Sequence, residues 1–320
     1  MSLLIRGAHQ LATPIGDSTR RGGDFGRLAI APRAVIRCEG TDVVFVGDAA
    51  EQELKFPPPQ QILDAAGGCV IPAFVDPHTH PVWAGSREQE FNRRLAGESY
   101  MEIARSGGGI NATVQATRAA SFETLLDGTL TRLDTFLEHG TTTVEAKSGY
   151  GLDLATEVKM LEVIAAAQRA HPVDLHPTCL AAHEVPIEHR DDPERWVNAL
   201  VEEIHPSIAR RGLAEAVDVF CEDGVFDIEQ TRRLLADAEA FGWRIHLHAD
   251  ELTPLGGTEL AVEFKALSAD HLMCITDRGI AALAESETIG VLLPGTSFFL
   301  RSDYAPARKM VEAGCAVALA

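Results

Sequence analysis

The chain has 320 residues, 46% apolar and 23% charged, a composition typical of a folded globular protein and contrary to disorder. It carries 28 Lys and Arg against 47 Asp and Glu, a formal charge of −19. Such a surface repels phosphate backbones and argues against nucleic acid as a partner. No apolar run reaches the roughly 18 to 20 residues of a membrane span, and the opening MSLLIRGAHQ lacks a signal-peptide layout. A cytoplasmic protein is expected. The six cysteines include no C-x-x-C pair and are expected to be reduced, buried thiols.

Residues 1–67 read as a small β domain. Strands are predicted at 29–36 and 43–46, glycines punctuate them, and Pro57, Pro58 and Pro59 close the stretch. This layer is too short to bury a core alone. Residues 68–320 show a different rhythm, in which an apolar β-branched run is followed by a loop and a helix-period segment. The runs fall at 69–75, 141–146, 173–182, 216–221, 244–249, 267–272, 288–293 and 315–320.

Between the runs, Leu126, Leu130, Leu133 and Leu137 keep helical spacing, as do Val158, Leu161 and Ile164, and then Trp196, Leu200, Ile204 and Ile208. Gly140, Gly242 and Gly314 stand where helices must end before the next strand. Eight strands alternating with helices over some 250 residues predict an α/β fold, a (β/α)8 barrel, in both count and length. A doubly wound open sheet is the second choice, and no G-x-G-x-x-G follows the first strand to support it.

In such a barrel the chemistry gathers at the C-terminal strand ends. The first run leads into Asp76-Pro77-His78-Thr79-His80, and two histidines two apart on a strand share a face, which makes half a metal site. The fifth run contains His246 and His248, both on the inward-facing side. His248 lies nearer the strand end and is the better ligand, whereas His246 is expected to fill an inner layer through a hydrogen bond. Glu251, three residues on, is placed to take a proton from metal-activated water. The third run ends at His183 and the sixth at Asp270-His271. Histidines at four strand ends, out of only 12 in the chain, are the strongest signal in the sequence. The fourth run offers no lysine as a metal bridge, which favours one ion over two, and Lys147 is read as a hydrogen-bonding or surface lysine.

Several segments together resemble the imidazolonepropionase family of the amidohydrolase superfamily: PAFVDPHTHPVWAGSREQEF, GESYMEIARSGGGINATVQATRAAS, TTTVEAKSGYGLD, VDVFCEDGVF, HLHADEL, ALSADHL and VLLPGTSFFLR. The resemblance implies a barrel beside a small β domain and one metal ion, zinc or iron. It implies His78, His80 and His248 as ligands, Glu251 and His271 as proton-handling residues, and Arg87, Tyr150, His183 and Tyr100 around the substrate. The implied reaction opens the ring C–N bond of 4-imidazolone-5-propanoate to give N-formimidoyl-L-glutamate, with a protonated His271 beside the developing oxyanion. An anionic substrate needs a local cation in so acidic a protein, and Arg87 offers a bidentate fork. The alternative role for Arg87 is an ion pair with Glu88 or Glu90.

The family pattern continues past the eighth strand into an aspartate ligand, and the sequence stops at Ala320, so an incomplete C-terminus with exposed apolar faces at the barrel seam is expected. Two other functions stay open: another mononuclear aminohydrolase of the nucleobase deaminase type, and an inactive metal-binding fragment. The oligomeric state is not fixed by the sequence, and a homodimer is compatible with it.

Overall fold

The computed structural model describes residues 1–16, 18–98 and 108–320. The chain divides into two compact units, Met1–Ala73 and Phe74–Ala320, so the boundary lies later than residue 67.

The first unit contains β1 (Ser2–Arg6), β2 (Gln10–Pro14), β3 (Leu28–Pro32), β4 (Val35–Glu39), β5 (Asp42–Gly47), β6 (Gln61–Asp64) and β7 (Cys69–Val70). They form two small sheets, ordered β5-β4-β1-β6 and β3-β2-β7. The single strand expected over 29–36 is two strands in different sheets. Arg33 breaks it with a left-handed φ of 52°, its N–H donating to the His9 carbonyl at 3.0 Å. Cys69 and Val70, expected in the first barrel strand, instead pair with β2. Pro72 follows them and cannot donate to a ladder, so the barrel strand begins only at Phe74.

The second unit contains β8 (Phe74–Thr79), β9 (Thr141–Lys147), β10 (Asp174–Ala182), β11 (Ala216–Cys221), β12 (Arg244–Ala249), β13 (Ser268–His271), β14 (Ile289–Leu292) and β15 (Val317–Leu319). All eight run parallel in sequence order, each bonded to the next. The result is a nearly closed (β/α)8 barrel in which β8 and β15 share no ladder. Phe74, Val75 and Leu319, on these two strands, are 55%, 63% and 65% exposed.

The predicted helices are present at Phe122–Glu138 and Leu154–Ala170, and over 193–211 with one wider turn at Leu200–Ile204. Trp196, Leu200, Ile204 and Ile208 are all buried, as their spacing requires. The first helix is turned by one position. Its buried face is Leu125, Thr129 and Leu133, leaving Leu137 40% exposed. Gly140, Gly242 and Gly314 all have positive φ. The six cysteines are free thiols, but only Cys179, Cys221 and Cys315 are buried, and Cys69 is exposed. Among the described residues no helix is long and apolar enough to cross a membrane.

The loop after β9 is held from below. The buried Glu157 carboxylate accepts from the N–H groups of Gly149, Gly151 and Leu152 at 3.0, 2.7 and 2.9 Å. This fixes the backbone on both sides of Tyr150. Gly149 has φ 105°, and a Cβ there would lie 2.7 Å from the Leu180 carbonyl oxygen. Gly149→Ala should therefore destabilise the barrel by about 2 kcal/mol or more in chemical denaturation. A denaturation curve matching that of the parent protein would show that the loop can relax.

Candidate active site

The barrel geometry puts the polar strand ends around one mouth. A cavity of about 910 Å³ is lined there by His78, His80, Arg87, Tyr150, His183, Phe220, His248, Glu251 and His271, among others. Every described site residue expected from the sequence faces this space. Tyr100 lies outside the described residues.

The imidazoles form a contiguous cluster. Ring centroids are 4.5 Å apart for His78 and His248, 5.3 Å for His78 and His80, 5.8 Å for His80 and His248, and 4.9 Å for His248 and His271. Two sets of three donors come within 4.8 Å of one another: His78, His248 and His271, and His80, His183 and His248. His248 belongs to both. The expected ligands His78 and His80 fall in different sets, so the trio read from the sequence gathers around one space without converging on one point.

These residues fit a metal ion. Burial drives the pKa values of His78, His80 and His271 well below the usual imidazole range, helped by neighbouring cationic groups. His183 is pushed down to about 3, chiefly by burial. Neutral imidazole is the form that binds a metal. The ring nitrogens His80 Nδ1, His271 Nδ1 and His271 Nε2 are buried without a hydrogen-bond partner, and His248 Nδ1 meets its carboxylate neighbour off the hydrogen-bond direction, a costly state for polar atoms unless something binds them.

Carboxylates behind the rings set their orientation. His78 Nδ1 lies 2.6 Å from Asp270 Oδ2, and His248 Nδ1 lies 2.9 Å from Asp218 Oδ2. Each contact leaves Nε2 of the ring for the cavity, the usual outer support of a metal-binding histidine. His246 bonds Ser268 Oγ at 2.8 Å in the inner layer, as expected. Sequence reasoning missed Asp218, although an aspartate in the middle of the apolar run AVDVFC marks it. It also left Lys147 as a possible surface residue, whereas Lys147 is fully buried.

Glu251 sits at the exit of β12. Asp250 before it takes a positive φ of 47°, and its carboxylate accepts from the N–H groups of Gly256, Gly257 and Thr258 at 2.9, 3.2 and 3.1 Å. That anchor turns Glu251 towards the cavity, where Oε2 lies 3.5 Å from His271 Nε2. Burial, with a smaller contribution from Glu222, pushes the Glu251 carboxyl up to about 8. Among the described residues Arg87 has no ion-pair partner. Glu88 bonds Ser86, and Glu90 lies 4.0 Å from Arg94 and accepts from the Gly109 N–H at 2.8 Å. His183 is fixed by a 3.0 Å contact of Nδ1 with the Gly149 carbonyl, and its ring centroid lies 5.2 Å from that of Tyr150.

No family model matches the chain. Curated relatives do. An imidazolonepropionase of Porphyromonas gingivalis is 47% identical, over 100% of this chain and 76% of its own length. One from a Geobacillus strain is 49% identical, over 99% of this chain and 76% of its own. The chain belongs to the imidazolonepropionase family. Among solved structures the family's barrel resembles E. coli guanine deaminase, with a TM-score of 0.72 and 13% identity over 99% of this chain and 73% of that one. A zinc-bound adenosine deaminase from Xanthomonas campestris gives 0.66 at 18% identity, over 99% of this chain and 68% of that one. At such identities these structures speak for the fold alone.

The raised Glu251 pKa has a consequence for stability. Its folded value of about 8 exceeds the free value of 4.5, so burial of Glu251 carries no penalty below about pH 4.5. The penalty grows as pH rises towards 8 and the carboxyl must ionise inside the fold. In the metal-free protein, Glu251→Gln should be more stable than the parent by up to a few kcal/mol at about pH 8, the difference shrinking towards about pH 5. Thermal melts across that range test this, and a difference that does not change with pH would mean that Glu251 titrates normally.

Proposed function

We propose that the chain hydrolyses 4-imidazolone-5-propanoate to N-formimidoyl-L-glutamate, the ring-opening step of histidine degradation, in the cytoplasm and with a small anionic molecule as its partner. Family membership supports this reaction. The observation that carries it is Arg87, a guanidinium facing a histidine-rich cavity with no carboxylate partner among the described residues. In a protein of net charge −19 such an arginine is matched to an anionic substrate, whereas a neutral nucleobase would not need it.

His78, His80 and His248 would hold one metal ion, zinc or iron, since imidazole suits both. His80 Nδ1 has no protein partner to restrain it, so this ring can turn towards a common point with the other two. When bound, the ion supplies Lewis acidity that makes water a nucleophile near neutral pH.

The protein groups do the rest. Arg87 holds the propanoate carboxylate in a two-pronged contact, and Tyr150 and His183 orient the ring by hydrogen bonds. Burial keeps the Tyr150 hydroxyl protonated by raising its pKa, against the opposing effect of Arg87. Ionised Glu251 takes a proton from the attacking water. The oxygen adds to the ring carbonyl carbon, and a His271 N–H donates to the developing oxyanion. The carbonyl re-forms, the ring C–N bond breaks, and Glu251 returns its proton to the departing nitrogen. The same atom of Glu251 thus serves both halves of the reaction from one position.

Three results test the reading. Metal-loaded protein should convert imidazolonepropionate and release no ammonia from guanine or cytosine, and chelation should abolish turnover. Glu251→Gln should lower kcat by about 10²- to 10⁴-fold with metal content unchanged. Arg87→Met should raise KM by about 10- to 100-fold, the loss of a charged hydrogen bond. Ammonia release from a nucleobase, or an unchanged KM in the Arg87 variant, would replace the substrate proposed here. Elemental analysis of active protein decides between zinc and iron.

A further inference from the structure

Below the histidine cluster lies a group of charges that the reaction itself does not use. Lys147, at the end of β9, is fully buried, as are Asp218 on β11 and Asp270 on β13. Its Nζ lies 2.7 Å from Asp218 Oδ2, 2.8 Å from Glu145 Oε1 and 3.7 Å from Asp270 Oδ2. These are the same aspartate oxygens that meet Nδ1 of His248 and Nδ1 of His78. Asp218 makes a second contact with the same strand, its Oδ1 accepting from the His248 backbone N–H at 3.0 Å. One ammonium therefore reaches, through one carboxylate each, two of the three rings placed around the metal.

We propose that Lys147 is a positioning residue for the metal centre: its ammonium anchors the Asp218 side chain and lies beside Asp270, and these two side chains hold the His248 and His78 rings with Nε2 towards the cavity. His78, Asp218 and Asp270 also come close enough together to form a cation site of their own. The ammonium occupies the carboxylate side of that group with a covalently tethered charge and leaves the imidazole Nε2 atoms as the donors on offer. Burial alone would disfavour a charged lysine, but Asp218, Glu145 and Asp270 outweigh it. Without the lysine, Asp218 loses a 2.7 Å contact and Asp270 a neighbouring charge, and the two rings lose the anchor behind their supports.

The inference rests on the metal-hydrolase reading above, and the test separates the two. Parent protein, Lys147→Met and Asp218→Asn are titrated with Co²⁺ against a competing chelator, with the visible spectrum of the bound ion recorded. Parent protein should bind one ion. Lys147→Met should bind about 10- to 100-fold more weakly, with altered band positions and intensities, as expected when an outer-shell support is lost. A folded Lys147→Met protein with parental affinity and spectrum overturns the proposal, even if its melting temperature falls, because Lys147 would then serve the fold alone. If Lys147→Met does not fold, Asp218→Asn decides: it should weaken binding by a similar factor, and parental affinity there overturns the proposal. Failure of the parent protein to bind Co²⁺ would instead remove the metal reading and this proposal with it.

Discussion

The site depends on one constraint: a barrel interior that holds several ionisable groups with almost no water. Glu145 and Lys147 on β9, Asp218 on β11 and Asp270 on β13 project from alternate strands into that interior, and each is at least nine-tenths buried. Removing a single partner from such a buried set costs about 3–5 kcal/mol, because the remaining charge has neither water nor counter-ion. The group is tolerable only as a whole. Asp218 illustrates the balance. Burial would raise its carboxyl, yet His248 and Lys147 hold it well below the usual range. Asp270, farther from the ammonium, goes the other way, with burial prevailing. The charges are concentrated on the Asp218 side, beneath His248, the ring shared by both donor sets.

The parallel strand order converts this interior into a mouth. Alternation along a strand sends every second residue inward, so Asp218 and Phe220 share the interior while Val217, Val219 and Cys221 meet the helices. The same rule stacks Glu145 beneath Lys147, and His246 beneath His248. In each strand the inner residue belongs to the supporting layer and the outer one lies nearer the cavity. A polar lower layer is unusual in a barrel filled mainly by branched apolar side chains. Here it is where the orientation of the metal-facing rings is set.

Much of this was legible in the chain. Strands β11 and β12 begin and end where the apolar runs do, and His78, His80, His183, His248, Glu251 and His271 were legible because each closes a run. Errors arose where local pattern and tertiary pairing disagreed. The run at 69–75 is apolar throughout, but Pro72 divides it between two sheets. The run at 29–36 is also continuous, yet Arg33 turns the chain between sheets. Lys147 was ambiguous for a different reason. A lysine closing a strand is ordinarily exposed, and its role becomes visible only when Asp218, 71 positions away, is brought beside it. The separation of His78 and His80 into two donor sets was likewise beyond the reach of spacing, since it depends on partners from other strands.

Several costly features of the molecule gather around the exits of β12 and β13. Asp250, His271 and Leu272 have left-handed φ values of 47°, 77° and 59°, costly for residues with a Cβ. Glu251 is buried with a carboxyl raised to about 8, and both His271 ring nitrogens lack partners. The segment around Glu251 is held by well-bonded neighbours: the Asp250 carboxylate accepts from the turn at 256–258, and Glu222 accepts from the N–H groups of Leu252 and Thr253 at 2.8 and 3.3 Å. The strained backbone aims Glu251 and His271 at one another across 3.5 Å without a hydrogen bond of good geometry between them. That leaves both groups uncommitted, able to pass a proton to or from a molecule lodged in the cavity. A tight pair would have been more stable, but it would have left neither group with a free hydrogen-bonding atom towards the cavity.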